Sequence, residues 1–359
     1  MVSQETIHTN STNRAPYGSK YPPFKDAGSL DRFTTVQVTP CIGTEFKNVD
    51  LAEWLSAPNS DDMIKDLALL LAQRGVIFFR GQNNINNELQ KELCKRLNAI
   101  GGAPQGNGFY RHSLLAMQGE DPEMGKVDQD RLEKMYRPKA DNMPRQSHTL
   151  DWHTDSSFEA NSPDYTILKM AELPATGGDT LWASGYELYD RLTEPYKRFF
   201  ESLTATYKSV ALSGYAAKNP EAMDSGPRGA PNNVGLDFEN HHPVVRTHPL
   251  TGWKSIFSCG TNCLSIDGVT DAESAKLMRK LMRLLVDNHD LQLRFQWHDV
   301  NDLAIWDNRC TFHAATQDHF GKGTRIGWRC MTMGEIPFYD PESKSRMEAT
   351  GGWPYKIEA

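Results

Sequence analysis

The chain has 359 residues, of which 38% are hydrophobic and 24% are charged, and its formal net charge at pH 7 is −7. This composition is typical of a globular protein with a large core, and the acidic balance does not favour a nucleic-acid partner. No apolar run approaches the roughly 20 residues of a membrane-spanning helix. Residues 1–16 are polar and lack the apolar segment of a secretory signal, so we expect a cytoplasmic protein with no membrane partner.

The first third of the chain predicts an arm, a strand and two helices. Residues 1–30 are polar and interrupted by prolines, which predicts an N-terminal arm without regular structure. Alternating apolar and polar residues predict a strand at 33–39. Helical spacing of apolar residues predicts helices over 61–74 and 87–97, with a buried strand between them at 76–79.

Two stretches are rich in Gly, Pro and Asn and have little periodicity. The first, at about 103–150, ends at a candidate metal motif, and a long irregular segment inside a compact domain is typical of a functional loop. The second lies at about 214–240. We predict that both are lid loops over the active site.

The remainder of the chain consists mostly of short apolar segments. They predict strands at 165–170, 179–183, 242–247, 254–257, 291–297, 303–306 and 326–331. Helices are expected over 188–203 and after the capping box that Thr270 and Glu273 form. Many short strands with few helices favour a mainly β protein with helical additions, built as a sandwich or jelly roll. We place this single domain at 31–345, followed by a C-terminal tail at 346–359.

The six cysteines are too few and too scattered for a disulfide scaffold in a chain of this length. Cys259 and Cys263 are separated by three residues, but no second Cys or His pair stands at zinc-finger distance. We therefore expect reduced thiols.

The most informative pattern is the pair His153-x-Asp155 with His313 far downstream. Residues i and i+2 of an extended segment face the same way, so the pair can bind one ion, and His313 can join it from a strand across the sandwich. Two imidazoles and one carboxylate on one face of an ion are typical of non-haem Fe(II) oxygenases, in which three positions stay open. Arg325 suggests a dicarboxylate co-substrate, because a guanidinium can hold a carboxylate bidentately.

Three alternatives remain open at this point. An H-x-D pair occurs often by chance, and zinc uses the same ligands. A zinc-dependent hydrolase would need a general base and would have no use for Arg325. A catalytically silent jelly-roll protein that binds a small anion is the third alternative, although the intact ligand set weighs against it.

Several segments together resemble the TauD/TfdA family of Fe(II)/2-oxoglutarate-dependent dioxygenases, in particular its fungal taurine- and sulfonate-dioxygenase-like members. In chain order they are residues 74–82, 152–158, 177–183, 242–249, 306–313 and 325–329. The resemblance spans about 33–335 and implies a double-stranded β-helix (jelly-roll) core with the iron at one open end. It implies that His153, Asp155 and His313 bind Fe(II), and that 2-oxoglutarate and O2 are co-substrates.

The resemblance also assigns co-substrate contacts. It implies that Thr180 hydrogen-bonds 2-oxoglutarate, that Arg325 pairs with the distal carboxylate, and that Arg329 lies near the 1-carboxylate or an anionic substrate group. Family members are often dimers or tetramers, so a homo-oligomer is expected.

Four further positions are candidate substrate contacts: His112, Thr149, Ser156 and Asn262. His112 stands roughly where the family has a substrate-binding histidine, although a solvated loop histidine is an equal alternative. Thr149 replaces the asparagine of taurine-type enzymes, Ser156 replaces a usual valine, and the segment around Asn262 is smaller and less charged than in relatives. These departures leave an amino acid or a secondary-metabolite intermediate as alternatives to a sulfonate.

The expected reaction oxidises an unactivated C–H bond of a small, anionic or zwitterionic molecule and releases succinate and CO2. Hydroxylation is the default outcome, and desaturation or ring closure uses the same iron. The presence of Asp155 argues against a halogenase, because a halide would need a small residue at that position.

Overall fold

The computed structural model describes residues 26–128, 149–319 and 321–352. Most of the expected N-terminal arm and residues 129–148 of the first predicted lid lie outside these ranges. Within them, no helix is long and apolar enough to cross a membrane.

A seven-stranded sheet forms the centre of the fold. In spatial order its strands are β1 (Thr35–Gln37), β2 (Thr44–Phe46), β3 (Val76–Phe79), β13 (Leu303–Asp307), β5 (Pro163–Glu172), β15 (Ile326–Met333) and β4 (Gly125–Asp128). Strands β2 and β3 run parallel, and the other neighbouring pairs are antiparallel.

The described residues also form three smaller sheets. One contains β12 (Gln292–Phe295), β6 (Thr180–Ser184) and β14 (Thr311–Ala315); a second contains β11 (Cys263–Ile266), β7 (Thr204–Lys208) and β8 (Glu239–Pro243); the third pairs β10 (Lys254–Ile256) with β9 (Val245–Thr247). The strands predicted at 76–79, 165–170, 303–306 and 326–331 all belong to the large sheet, so those predictions are confirmed.

The α-helices lie mostly between strands. Within the described ranges they are α1 (Leu51–Ser56), α2 (Ser60–Arg74), α3 (Asn87–Ile100), α4 (Gly185–Asp190), α5 (Glu194–Glu201), α6 (Val210–Ala216), α7 (Asp271–Asp287) and α8 (Arg346–Thr350). The predicted capping box of α7 is present, with Thr270 and Glu273 each accepting the other's backbone N–H. Helix α8 occupies the start of the segment expected to be a tail.

The single helix predicted over 188–203 is wrong, because the structure has two helices there. Helix α4 ends before Arg191, and α5 begins after Thr193 with Pro195 in its first turn. Proline has no backbone N–H and clashes with the preceding turn inside a helix, but it fits the first turn of a new one. The chain therefore restarts the helix at this proline.

Both faces of the large sheet are buried at β3. In β3, Val76 and Phe78 point into one apolar cluster, whereas Ile77 and Phe79 point into another that contains α1, α2 and α3. Phe78 stacks on Phe295 of β12, with ring centroids 3.9 Å apart. The sheet that contains β12 covers one face of β3, and helices cover the other. Strand β3 is therefore a continuous apolar run and does not alternate between apolar and polar residues.

The packing of Phe78 gives a stability prediction. We expect Phe78→Ala to lower the free energy of unfolding by about 3–5 kcal/mol, because it removes a fully buried ring and leaves a cavity between the sheets. Denaturant unfolding measures this change. In the control Leu264→Ala, a side chain that is 50% exposed on β11, the change should stay within about 0.5 kcal/mol. Equal effects of the two substitutions would contradict this packing.

Candidate active site

The structure brings His153, Asp155 and His313 together. One nitrogen or oxygen of each side chain lies within 4.8 Å of the others. The Nε2 atom of His313 is 3.7 Å from Oδ1 of Asp155, and the two imidazole centroids are 4.2 Å apart. Two nitrogen donors and one oxygen donor therefore converge from segments that are distant in the chain.

Backbone hydrogen bonds fix the distance between the two histidines. The N–H of His153 donates to the carbonyl of His313 at 3.0 Å, and the N–H of His313 donates back at 2.9 Å. Gly260 packs against this bridge with a φ of +92°, and a Cβ there would lie 2.3 Å from the Trp152 carbonyl oxygen. A larger residue at 260 would push the ligand-bearing segment away, so glycine is required by this close approach.

Hydrogen bonding and burial prepare both imidazoles for a metal ion. Nδ1 of His153 lies 2.8 Å from the carbonyl oxygen of Asp151, so Nδ1 carries the proton and Nε2 offers its lone pair. Burial, assisted by the neighbouring His153, lowers the pKa of His313 to about 3. The His313 ring is therefore neutral near physiological pH, as a metal ligand must be.

Both oxygens of the Asp155 carboxylate have a donor. Oδ2 accepts from the Thr166 hydroxyl at 3.0 Å, and Oδ1 accepts from Arg329 at 2.8 Å. Burial opposes ionisation, but the charge of Arg329 and the nearby imidazoles outweigh it, so the pKa of Asp155 lies below its ordinary value. The group is an ionised, fixed carboxylate.

Asn308 supports this carboxylate and was not predicted as a site residue. Its Nδ2 donates to the Thr166 hydroxyl oxygen at 2.8 Å, and its Oδ1 accepts from the backbone N–H of Asp155 and from the Trp306 indole. The Thr166 oxygen is thus an acceptor toward Asn308, which directs its proton to Asp155. The sequence signal for this role was its position between Trp306 and His313.

A cavity of about 430 Å³ opens beside the cluster. Of the predicted contacts, it is lined by Thr180, Arg325, Arg329, His112, Ser156 and Asn262, together with His153 and His313. Thr149 instead lies in a short 3-10 helix, Thr149–Asp151, before the first histidine and does not line the cavity. The rest of the wall combines polar side chains such as Asp151 and Gln317 with apolar ones, including Tyr110, Val127, Phe158, Leu168 and Leu212.

Arg325 is buried at one end of the cavity, with only 1% of its surface exposed. It donates from Nε to the carbonyl of Gly178 at 2.6 Å and from a terminal nitrogen to the Thr180 hydroxyl at 3.1 Å. Burial lowers the pKa of Arg325 to about 10, although the charge of Asp179 opposes this shift, so the guanidinium stays protonated at neutral pH. Gly178, at φ +73°, leaves no room for a Cβ, which would lie 2.8 Å from the Arg325 side chain.

His112 and Arg329 meet near the cluster. Nδ1 of His112 accepts the backbone N–H of Leu114 at 2.9 Å, so the ring proton is on Nε2. Burial, and then the charge of Arg329, lower the pKa of His112 to about 4. His112 therefore presents a neutral ring with an N–H donor in the cavity wall.

A second group, His248, Asp307 and Cys310, also brings possible ligand atoms within 4.8 Å. Both nitrogens of His248 are already used, since Nε2 faces Asp307 at 3.0 Å and Nδ1 accepts from Leu250. Asp307 also pairs with the buried Arg309. This group is a structural network.

All six cysteines are buried and free of disulfides, which confirms the prediction of thiols.

A mainly β fold with a cluster of two histidines and one carboxylate beside a buried arginine defines the class of 2-oxoglutarate-dependent dioxygenases. The sequence pattern of the family described as "Taurine catabolism dioxygenase TauD, TfdA family" matches residues 34–331. The chain belongs to this family and is an alpha-ketoglutarate-dependent dioxygenase.

Individual relatives are consistent with this family assignment. The chain is 51% identical over 330 residues to alpha-ketoglutarate-dependent dioxygenase oryG of Aspergillus oryzae, covering 92% of this chain and 96% of the relative. It is 30% identical over 311 residues to the alpha-ketoglutarate-dependent sulfonate dioxygenase of Saccharomyces cerevisiae, with coverages of 85% and 68%. A taurine dioxygenase structure from Burkholderia xenovorans has a similar fold, with a TM-score of 0.65, 24% identity and coverages of 87% and 92%. The predicted family and reaction class are confirmed, and the non-catalytic alternative is not supported.

The support of Asp155 by Thr166 gives a prediction about metal binding. We expect Thr166→Val to weaken binding of a divalent metal at the cluster by roughly 10- to 100-fold, because the carboxylate loses the donor that orients one oxygen. Anaerobic equilibrium dialysis with Fe(II) or Mn(II) measures the affinity. Thr206→Val is the control, since Thr206 bonds Asp267 and the exposed His241 on another sheet. If both variants bind metal like the unsubstituted enzyme, Thr166 does not orient the ligand.

Proposed function

We propose that this chain is an Fe(II)-dependent member of its class, that its sheets form a double-stranded β-helix, and that it oxidises an unactivated C–H bond of a small anionic or zwitterionic substrate. In the hydroxylation form the substrate R–H, O2 and 2-oxoglutarate give R–OH, succinate and CO2. The observation that carries this proposal is that one cavity is lined both by the histidines of the cluster and by Arg325 with Thr180.

The donor set fits Fe(II). His153 and His313 offer imidazole nitrogens, Asp155 offers a carboxylate oxygen, and no thiolate belongs to this cluster. Such a set suits non-haem iron, and three coordination positions remain for co-substrates. When bound, the iron supplies the activation of O2 and the oxidation of the C–H bond. The hydrogen bond that His153 donates to the Asp151 carbonyl and the one that Asp155 accepts from Thr166 would orient the ligands for that ion.

Arg325 and Thr180 would bind the distal carboxylate of 2-oxoglutarate. A carboxylate at this end of the cavity would meet a guanidinium that is already buried, so the ion pair would be stronger than one at the surface. Arg329, which donates to Asp155 and whose charge acts on His112, would face the 1-carboxylate or an anionic group of the substrate.

The rest of the cavity would bind the substrate. His112 and Arg329 present N–H donors, and Ser156 and Asn262 add a hydroxyl and an amide, which together suit an anionic or zwitterionic head group. Apolar wall residues such as Phe158 would pack on the carbon skeleton and exclude water. A sulfonate, an amino acid and a secondary-metabolite intermediate all have this chemistry. Desaturation and ring closure stay alternative outcomes at the same site.

Assembly and location stay predictions. We expect a homodimer or homotetramer in the cytoplasm that acts on a small molecule. Light scattering on the purified protein tests the assembly state.

Succinate release tests the proposed reaction. We expect His153→Ala, Asp155→Ala and His313→Ala to abolish succinate formation in a panel of sulfonates, amino acids and aryloxy acids, because each removes a ligand. His241→Ala is the matched control, since that histidine is 61% exposed on β8, and it should retain full turnover. Circular dichroism checks that each variant folds. Iron-dependent turnover that survives the loss of His313 would contradict the ligand assignment.

Binding of 2-oxoglutarate tests the arginine. We expect Arg325→Ala to raise the dissociation constant by at least roughly 30-fold, because a buried charge pair is lost. Isothermal titration calorimetry under anaerobic conditions measures it. The control Arg294→Ala removes a neighbouring arginine that is 55% exposed and pairs with Asp179, and it should bind 2-oxoglutarate normally. Unchanged affinity in Arg325→Ala would remove Arg325 from the co-substrate site.

A further inference from the structure

Trp297 lies outside the cavity lining and contacts Thr180, which is one of the lining residues. Its indole Nε1–H donates to the Thr180 hydroxyl oxygen at 3.1 Å. Phe295 of β12 pairs with Thr180 of β6, so a residue two positions beyond Phe295 points to the same side and reaches that hydroxyl. Trp297 is 7% exposed and does not line the cavity, so it would act only through Thr180.

The hydroxyl of Thr180 has one proton and two lone pairs. One lone pair accepts from Trp297, and the other accepts from Arg325 at 3.1 Å. In the part of the chain that the structure describes, no acceptor for the hydroxyl proton lies within hydrogen-bonding distance of Thr180. Because the oxygen is saturated as an acceptor, the hydroxyl can serve a ligand only as a donor.

We propose that Trp297 is a positioning residue that makes Thr180 a fixed hydrogen-bond donor to the distal carboxylate of 2-oxoglutarate. This inference rests on the function proposed above, in which Arg325 and Thr180 share that carboxylate. Without the indole N–H, the Thr180 hydroxyl is free to rotate and to present a lone pair to the anion, which is repulsive. Arg325 and Thr180 then discriminate less strongly between a ligand with an ionised distal carboxylate and a ligand with a neutral group at that position.

A purely structural role for Trp297 predicts different behaviour. The indole packs edge-on against Phe295, with centroids 5.0 Å apart, so removal of the whole ring would disturb the core. Trp297→Phe keeps an aromatic ring and deletes the N–H. Thr180→Val deletes the acceptor of the same hydrogen bond, and Thr180→Ser retains it.

The experiment is anaerobic calorimetry of 2-oxoglutarate binding to the Mn(II)-loaded enzyme. We expect Trp297→Phe to weaken binding by roughly 3- to 10-fold, as for loss of one hydrogen bond. Thr180→Val should weaken binding at least as much, Thr180→Ser should bind nearly normally, and the double variant Trp297→Phe/Thr180→Val should bind no worse than Thr180→Val. In turnover, the KM for 2-oxoglutarate should rise in Trp297→Phe, while kcat and the KM for substrate stay unchanged.

Pyruvate is the matched ligand control, because it has the same 2-oxo acid group and no distal carboxylate. Its affinity should be the same in the unsubstituted enzyme and in Trp297→Phe. The inference is overturned if Trp297→Phe binds 2-oxoglutarate with unchanged affinity. It is also overturned if Trp297→Phe lowers this affinity as much in the Thr180→Val background as in the unsubstituted enzyme, or if it lowers the affinity for pyruvate as much as that for 2-oxoglutarate. If the unsubstituted enzyme binds no 2-oxoglutarate, the proposed function itself fails.

Discussion

Two backbone hydrogen bonds, between His153 and His313, hold the site together. They join the segment around His153 to β14 at distances of 3.0 and 2.9 Å. This pairing sets the separation of the two imidazoles before any ion arrives, and Asp155 follows on the same segment. Gly260 leaves the space in which that segment lies. A site preorganised in this way does not have to order its ligands when the metal binds, which favours tight binding.

The two ends of the cavity use threonine hydroxyls in the same way. Near the cluster, Asn308 donates to Thr166, and the Thr166 proton goes to Asp155. At the far end, Trp297 and a guanidinium donate to Thr180, whose proton is left for a ligand. One interior N–H group donates to the Thr166 oxygen and two donate to the Thr180 oxygen, and each arrangement restricts the direction of the hydroxyl proton. A neutral hydroxyl thereby becomes a directed donor to an anion.

The sequence predicted the parts of this site that local patterns encode. The i, i+2 spacing of His153 and Asp155 was sufficient to pair them, and the downstream His313 and Arg325 completed the pattern. Resemblance to a family then supplied their expected roles. The apolar run of β3 and the capping box of α7 also identified their elements. These features depend on neighbours in the chain, which is why pattern analysis finds them.

Contacts between distant segments were not predictable. Trp297 and Asn308 gain their roles only because β12 and β13 pair with particular strands. The spacing of residues in the sequence does not predict this pairing. Strand β7 was missed although Ala205 and Tyr207 alternate with less buried residues, because five residues give a weak periodic signal. Apolar spacing over 188–203 predicted one helix, whereas Pro195 marks the first turn of a second one.

Anomalous X-ray diffraction from crystals loaded anaerobically with Fe(II) tests the central claim most directly. A single strong iron peak within bonding distance of His153 Nε2, an Asp155 oxygen and an imidazole nitrogen of His313 is the predicted result. A peak at the His248–Asp307 network, or crystals of folded protein with no iron near the first cluster, would contradict the account.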